Sequence, residues 1–121
     1  MKVVLESSLA PDGSHYWSLT VGRIYEVLGI ECDLYRLLDD REEPILFDPR
    51  CFKVVDSAEP SHWLSYFEEQ EERYAYPPKW GEPGFFEDWH NRVPDIRQEF
   101  RRGLAEWYPW TAAERGIAAD V

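Results

Sequence analysis

The sequence predicts an α+β fold in which a small β-barrel is followed by a hairpin or extended segment and by C-terminal helices. Up to residue 56, short apolar runs are broken by turn residues too often for helices of normal length. From residue 57, an acidic stretch rich in Pro and Trp precedes apolar residues at helical spacing. No internal repeat and no long low-complexity linker separates these halves. We therefore expect one domain over residues 1–121, with a barrel half over 1–56 and a hairpin, loop and helical half over 57–121.

The β half contains short apolar segments at close spacing. We expect strands at residues 24–30, 34–39, 45–47 and 52–56. The first strand is apolar enough to be buried on both faces, and the turn Glu31–Asp33 joins it to the second as a hairpin. Pro44 stops strand pairing at the end of the charged loop, and a 3₁₀-like turn over residues 48–51 leads into the last strand. Strands so short and so close together curl into a small barrel.

This order of strands resembles that of SH3-like barrels over residues 19–56. The matching segments are Val21–Val27, Tyr35–Asp40, Glu43–Phe47 and Cys51–Val55. The resemblance implies an SH3-like barrel in the first half of the chain. Because such barrels often bind Pro-rich peptides in an aromatic groove, an adaptor module that binds peptides is an alternative function.

An aromatic groove on this barrel would be formed by residues from several strands and loops. Its lining would be Tyr16, Trp17, Tyr25, Tyr35 and Trp63. The chain also contains a Pro-rich segment of its own, Tyr76–Trp80. We expect this segment to pack on the barrel and fill the groove in cis before any foreign peptide binds.

The residues after the barrel fit two local structures. Residues 60–67 form either a helical turn or one arm of a hairpin. The hairpin is favoured because residues on both sides of the acidic tip 68–72 alternate with a period of two. The alternating residues are Trp63, Ser65, Phe67, Tyr74 and Tyr76. Residues 77–84 contain three Pro and two Gly, which exclude regular structure there.

Helices are expected in the last third of the chain. A short helix over residues 85–90 precedes a longer one from Pro94, since proline fits the first helical turn. Apolar residues at helical spacing then form one stripe, which we expect to pack on the open side of the barrel. The stripe is Val93, Ile96, Phe100, Leu104 and Trp107. Pro109 ends this helix, and Thr111 and Glu114 are spaced as a capping box for a last turn ending at Gly116.

The charge balance excludes several classes of partner. The chain has 13 Lys and Arg against 24 Asp and Glu, a formal net charge of −11. Negative charge opposes the approach of phosphate groups, so we expect neither nucleic acid nor an anionic membrane as a partner. No apolar run approaches the ~18–20 residues of a membrane span. The apolar run at the start of the chain is also too short for a signal peptide. We therefore expect a cytoplasmic protein.

Motifs for metal binding and catalysis are sparse. Cys32 and Cys51 lack zinc-site spacing, and we expect reduced thiols, with a disulfide as the alternative. Glu87 and His90 are one helical turn apart, but metal sites of that type need a second such pair, which this sequence lacks. There is neither a Gly-x-Ser-x-Gly elbow nor a Gly-rich phosphate loop. We expect no catalytic residue, metal or cofactor, with a small metal-dependent enzyme using Glu87 and His90 as an alternative.

Acidic clusters and surplus aromatic residues indicate protein binding instead. Aromatic residues make up 16% of the chain, more than a small core requires, and Tyr and Trp suit binding surfaces. Negative charge steers a basic partner, while neighbouring aromatic rings anchor the complex. The predicted partner-binding residues are Asp39, Asp40, Glu42, Glu43, Trp63, Tyr66, Phe67, Glu68, Glu69, Glu71, Glu72 and Tyr74. Acidity that serves solubility alone is the alternative explanation.

The chain also resembles small acidic bacterial proteins of the immunity type, which are found beside toxins. This resemblance implies a non-enzymatic inhibitor that masks a basic protein partner such as a nuclease toxin. In that role the acidic loops would mimic phosphate, while Trp63, Tyr66 and Phe67 would anchor the complex. The sequence leaves the oligomeric state open.

Overall fold

The structure is a computed structural model that describes residues 1–117 and has an α+β fold. Within these residues there are eight strands and three helices. The strands are β1 (Lys2–Leu5), β2 (Ile24–Glu26), β3 (Gly29–Glu31), β4 (Leu34–Leu38), β5 (Pro44–Phe47), β6 (Phe52–Asp56), β7 (Leu64–Phe67) and β8 (Arg73–Tyr76). The helices are α1 (Phe85–His90), α2 (Pro94–Trp107) and α3 (Pro109–Glu114). None of these helices is long and apolar enough to cross a membrane.

The strands form two antiparallel sheets. One sheet has the order β2-β1-β6, and the other has the order β5-β4-β3-β8-β7. Residues 2–5, to which the sequence analysis assigned no strand, form the central strand of the smaller sheet. Among the described residues the two sheets do not close on each other, so an SH3-like barrel is not confirmed.

The single strand predicted over residues 24–30 is divided between the two sheets. β2 pairs with β1, whereas β3 pairs with β4 and β8. The two residues between β2 and β3 carry the chain from one sheet to the other. The Val27 N–H donates to the Met1 carbonyl oxygen, and the Leu28 N–H donates to the Arg36 carbonyl oxygen, both at 2.9 Å. Continuous hydrophobicity indicated a buried strand here, but it does not reveal a change of sheet.

Several local predictions are confirmed. The turn at Cys32 and Asp33 has positive φ angles of 52° and 63°, as a tight hairpin requires. A 3₁₀ turn spans Pro49–Cys51, and α1 and α2 have the predicted bounds. The hairpin β7–β8 replaces the alternative helical turn. Pro44 differs from expectation, since it lies opposite Leu38 as the first residue of β5.

The predicted capping box at the last helical turn is wrong. Thr111 lies inside α3, and its side chain caps no N–H group. Its Oγ1 atom instead donates to Glu26 Oε1 at 2.7 Å, which connects α3 to β2. Gly116 follows the helix with a φ of 67°, as expected for the residue after a helix C-terminus.

The five-stranded sheet has a hydrophobic cluster on each face. The first cluster lies between the two sheets and includes Val3, Leu5, Tyr25, Val27, Ile30, Leu37, Phe47, Trp63 and Ala75. The second lies between the opposite face and the helices and includes Leu28, Leu38, Tyr76, Trp80, Phe85, Phe86, Trp89, Phe100, Leu104 and Tyr108. The stripe of α2 therefore packs on the outer face of the five-stranded sheet. The prediction that this stripe packs on the open side of a barrel is therefore wrong, because the stripe packs on a sheet.

Candidate functional site

The two acidic segments predicted to bind a partner lie at opposite ends of the five-stranded sheet. Both β4 and β8 run antiparallel to β3 and are therefore parallel to each other. The loop 39–43 follows β4, whereas the tip 68–72 precedes β8. The tip lies beside the turn after β3, where the Asp33 N–H donates to the Arg73 carbonyl oxygen at 3.1 Å. The structure thus divides the predicted residues into two separate groups.

The carboxylates of loop 39–43 are largely engaged within the protein. Asp39 is fully buried, and its Oδ1 atom accepts hydrogen bonds from the N–H groups of Arg41 and Glu43, each at 2.9 Å. Glu43 also pairs with Arg41 at 3.5 Å, while Glu42 is exposed. Asp39 therefore holds the loop together and presents no carboxylate at the surface.

Asp40 is the centre of a hydrogen-bond network. Its carboxylate accepts hydrogen bonds from Thr20 Oγ1 at 2.7 Å and Tyr25 Oη at 2.7 Å. Arg23 Nη1 forms an ion pair with the same group at 2.6 Å. Burial raises the pKa of Asp40, but these hydrogen bonds and the Arg23 charge outweigh burial, so the pKa lies below its ordinary value. The network joins the loop before β2 to the end of β4.

Trp63 is also a core residue and not a surface anchor. Only 8% of the side chain is exposed, and it belongs to the hydrophobic cluster between the two sheets. Its indole Nε1 donates to the Tyr108 hydroxyl at 2.8 Å. The alternation that identified the hairpin also included Trp63, but this residue precedes β7 and points into the core.

The hairpin tip carries four carboxylates that have no ion pair among the described residues. The Glu68 N–H donates to the Glu72 carbonyl oxygen at 3.0 Å, and Glu71 has a φ of 65°. Among the described residues, no ion pair involves Glu68, Glu69, Glu71 or Glu72. Desolvation, Cys32 and the charges of Glu72 and Glu68 together raise the pKa of Tyr74 to about 12. The tip is therefore a concentrated source of negative potential.

Large apolar side chains are exposed along β7, directly before this tip. The exposed fractions are 63% for Leu64, 48% for Tyr66 and 67% for Phe67. The Tyr66 ring stacks on that of Tyr74 across the hairpin, with centroids 5.3 Å apart and planes at 9°. Strand β7 is also an edge of the sheet, with β8 as its neighbour on one side. Tyr66, Phe67 and Tyr74 were predicted site residues, and Leu64 was missed.

We use the name outer groove for an apolar depression between β7 and the Pro-rich loop. Its volume is about 590 Å³. It is lined by Leu64, Tyr66, Tyr76, Pro77, Pro78, Lys79, Gly81, Glu82 and Pro83. The segment Tyr76–Trp80 thus forms a wall of a groove and does not fill one in cis. Trp80 anchors the loop because its ring is buried against Phe100, with centroids 4.7 Å apart.

A smaller depression, the inner cavity, adjoins the outer groove and has a volume of about 230 Å³. Its polar floor is formed by Glu31, Arg36 and Tyr76. Arg36 Nη2 donates to Glu31 Oε1 at 3.0 Å, and Arg36 Nε donates to the Tyr76 hydroxyl at 2.9 Å. That hydroxyl donates to Glu31 Oε1 at 2.8 Å. The walls are Tyr66, Tyr74, Trp80, Gly81, Glu82, Pro83, Gly84, Phe85, Phe86 and Glu87.

The absence of a side chain at Gly29 allows this floor to form. A Cβ atom at Gly29 would lie 2.2 Å from Cδ1 of Tyr76 and 2.9 Å from the Ala75 carbonyl oxygen. The Tyr76 ring therefore lies across β3 and reaches Arg36 on β4. Sequence analysis missed Glu31, Arg36 and Tyr76 as site residues because three different strands supply them. The one signal in the sequence that could have indicated them is Arg36, a charged residue within an otherwise apolar strand.

The aromatic residues of the alternative adaptor function do not share a groove. Tyr25 and Trp63 are buried in the core, and Tyr35 is half-buried. Tyr16 and Trp17 line a separate depression of about 490 Å³ with residues of the loop before β2. Trp17 is 91% exposed there. Four of the predicted lining residues thus belong to or pack against the cluster between the two sheets and do not line one open groove. These four are Tyr16, Tyr25, Tyr35 and Trp63.

The cysteine and histidine residues are dispersed. Cys32 and Cys51 are free thiols, the first exposed in a turn and the second buried. Glu87 and His90 are both exposed on α1. Within residues 1–117, no three or more His, Cys, Asp and Glu side chains are grouped as metal ligands.

Comparison with known proteins gives no match: no family model, curated protein or solved structure is significantly similar to this chain. The chemistry of the hairpin, the outer groove and the inner cavity is therefore the basis for inferring function.

Proposed function

We propose that the chain is a non-enzymatic binding protein that masks a basic surface of another protein. The concrete case is an immunity-type inhibitor bound to a cationic nuclease toxin in the cytoplasm. The exposed thiol of Cys32 fits a reducing compartment of this kind. The observation that carries the proposal is the hairpin β7–β8, where exposed apolar side chains lie directly beside unpaired carboxylates.

The apolar part of the hairpin supplies the anchors that such a complex needs. Leu64, Tyr66 and Phe67 lie within four consecutive residues, and each exposes about half or more of its side chain. Leu64 and Tyr66 lie on the face of β7 that lines the outer groove, whereas Phe67 lies on the other face, next to the tip. Exposed apolar surface of this kind is typical of interaction sites. Aromatic residues also contribute a large share of binding energy in protein interfaces. The outer groove extends this surface beyond β7.

The acidic tip supplies steering and selectivity. Glu68, Glu69, Glu71 and Glu72 form no ion pair within the described residues, so their charges remain available to a partner. Charges at the rim of an interface mainly raise the association rate and suppress wrong partners. The overall charge of −11 has the same sign and strengthens this effect.

The free edge of β7 favours protein over small-molecule binding. An edge strand has unpaired backbone groups on one side, and natural proteins usually protect such edges with charged residues or proline. β7 has the sequence Leu-Ser-Tyr-Phe, which contains neither. An extended segment of a partner can therefore pair with this edge while its side chains contact the outer groove.

The test is an affinity capture from native lysate at low salt, followed by elution with a salt gradient and identification of the eluted protein. The immobilised baits are the wild-type chain, a tip variant with Glu69→Gln and Glu71→Gln, and a loop variant with Glu42→Gln and Glu43→Gln. Each variant removes two charges, but from opposite ends of the sheet. We expect a basic protein that the wild type and the loop variant retain and that the tip variant releases at lower salt.

Two results would overturn the proposal. One is a column without any salt-releasable basic protein, which would favour acidity that serves solubility alone. The other is an identical elution position for the wild type and the tip variant, which would show that the hairpin tip does not contact the partner.

A further inference from the structure

We propose that the inner cavity binds the guanidinium group of an arginine side chain presented by a basic protein partner. This assignment rests on the proposed function for the nature of the partner. The recognition chemistry is a property of the cavity itself, and a short peptide tests it separately.

The size of the inner cavity suits one side chain. Its volume of about 230 Å³ lies below the about 300–1,000 Å³ typical of small-molecule pockets. The inner cavity and the outer groove share part of their lining. The shared residues are Tyr66, Tyr76, Gly81, Glu82 and Pro83. A partner segment lying in the outer groove can therefore insert a single side chain into the cavity.

The charges that line the cavity select a cation. Arg36 supplies the one positive charge, but its N–H groups are used by Tyr76, Glu31 and the Pro44 carbonyl oxygen, the last at 2.9 Å. These contacts use three of the five guanidinium N–H groups, and Arg36 is only 6% exposed, so little of its charge is open to an incoming anion. Glu31, Glu82 and Glu87 supply three carboxylates, so the lining has two net negative charges.

Two of these carboxylates are available to a ligand. Glu82 and Glu87 are exposed, and neither side chain forms a hydrogen bond or ion pair to another described residue. They lie on the Pro-rich loop and on α1, whereas Glu31 lies on the sheet. An inserted cation would thus meet unpaired carboxylates on one side and the Glu31 carboxylate on the floor.

The aromatic walls select a guanidinium over an ammonium group. The Tyr66 and Tyr74 rings form a flat stacked pair along the sheet. A guanidinium group is planar, stacks on aromatic faces and donates two parallel hydrogen bonds to a carboxylate, which a lysine ammonium cannot do. The protein already makes this contact twice, once within the lining of the cavity and once outside it. The Arg36 guanidinium lies 4.0 Å from the Phe86 ring centroid, and the Arg97 guanidinium lies 3.8 Å from that of Trp89.

The test uses the full chain and three blocked tripeptides with Arg, Lys or citrulline between two Gly residues. Citrulline has nearly the shape of arginine but no charge. Binding is followed by chemical-shift changes in ¹H–¹⁵N NMR spectra at about 150 mM salt, where distant surface charges are largely screened. We expect saturable shifts for the Arg peptide at residues of the cavity lining, with a dissociation constant in the millimolar range. The Lys and citrulline peptides should bind at least about tenfold more weakly.

Matched variants locate the binding site. Glu87→Gln and Glu82→Gln each remove one cavity carboxylate and should weaken binding of the Arg peptide by about threefold to tenfold. Glu42→Gln removes the same charge from the loop after β4, away from the cavity lining and the tip, and should leave the peptide affinity unchanged. Equal binding of the three peptides, or shifts confined to the tip, would overturn the assignment of an arginine site.

The outcomes for the cavity and for the proposed function are distinguishable. If the basic partner is captured through the tip while the Arg peptide causes no shifts in the cavity, the function stands and the arginine site is wrong. If the Arg peptide binds in the cavity but no basic partner is captured, the arginine site stands and the masking function is wrong.

Discussion

The indole Nε1 of Trp63 donates to the Tyr108 hydroxyl at 2.8 Å, and this contact joins the two hydrophobic clusters of the molecule. The same hydroxyl donates to the Leu28 carbonyl oxygen at 2.6 Å. Leu28 is one of the two residues at which the chain passes from one sheet to the other. Burial is the main cause of the raised pKa of Tyr108, so the hydroxyl stays protonated and donates at all ordinary pH values. The Tyr108 hydroxyl thus provides a hydrogen-bond partner for two buried groups, the Trp63 N–H and the Leu28 carbonyl oxygen, whose residues belong to different hydrophobic clusters.

Tyr108→Phe removes this hydroxyl with little change in shape. We expect a loss of about 1–3 kcal/mol in the free energy of unfolding, because the Trp63 N–H and the Leu28 carbonyl group lose a partner in the core. Urea denaturation followed by fluorescence measures the loss. Tyr66→Phe removes an exposed hydroxyl and serves as the control, with an expected change within about 0.5 kcal/mol. Equal stability of the two variants would show that the buried contact is not stabilising.

Gly103→Ala tests the packing between α2 and the Pro-rich loop. A Cβ atom at Gly103 would lie 2.7 Å from Cζ2 of Trp80, which is itself buried. Helix propensity alone predicts a gain of about 1 kcal/mol for this substitution. We expect a net loss of about 1–3 kcal/mol instead, since overpacking displaces the ring. Gly81→Ala, whose Cβ atom would make only ordinary contact with Tyr76, is the control. A stabilised Gly103→Ala variant would contradict the packing described for Trp80.

Asp40→Asn tests the network that fixes the loop before β2. The pKa of Asp40 is lowered in the folded state. Its carboxylate therefore stabilises the fold at pH values above the ordinary aspartate pKa of about 4. This contribution is lost as the pH falls through the folded-state pKa. We expect the variant to be about 1 kcal/mol less stable at pH 7, with a difference that shrinks below about pH 4. The other acidic groups titrate alike in the wild type and the variant, so their effects cancel in the difference between the two free energies of unfolding. A difference in stability between the wild type and the variant that stays constant down to low pH would contradict a stabilising role for the ionised Asp40 carboxylate.

The apolar anchors are tested by Leu64→Ala and Phe67→Ala in one variant. Both side chains are mostly exposed, so the free energy of unfolding should change by less than about 1 kcal/mol. Binding to the captured partner should weaken by at least about tenfold, because anchors in an interface each contribute more than about 1 kcal/mol. Calorimetric titration measures the affinity. Trp17→Ala, which removes an exposed ring away from the hairpin, should bind like the wild type.

Local sequence signals predicted much of the fold. Pro94 and the apolar stripe gave the bounds of α2, and the period of two before and after the acidic tip gave the hairpin. These predictions were accurate because each depends on residues close together in the chain. The path of residues 24–30 could not be predicted in this way. Its division between two sheets is fixed by partners far along the chain, namely β1 for Ile24–Glu26 and β4 with β8 for Gly29–Glu31.

The candidate site was predicted only in part for the same reason. Charge and aromatic content identified the hairpin residues, but these properties do not show which acidic residues have internal partners. Asp39 and Asp40 accept hydrogen bonds from nearby and distant residues. Trp63 is buried between the two sheets, and its indole donates to Tyr108, which comes much later in the chain. The inner cavity could not be predicted, because its floor combines Glu31, Arg36 and Tyr76 from three strands.

The most direct test of the masking function is the association rate of the captured partner as a function of salt concentration. It is measured for the wild type, the Glu69→Gln/Glu71→Gln tip variant and the Glu42→Gln/Glu43→Gln loop variant. We expect the tip variant to associate about tenfold more slowly at low salt and with a shallower salt dependence, because steering charges act mainly on association. The loop variant should stay close to the wild type. Identical rates and salt dependence for the tip variant and the wild type would contradict a function based on the acidic hairpin.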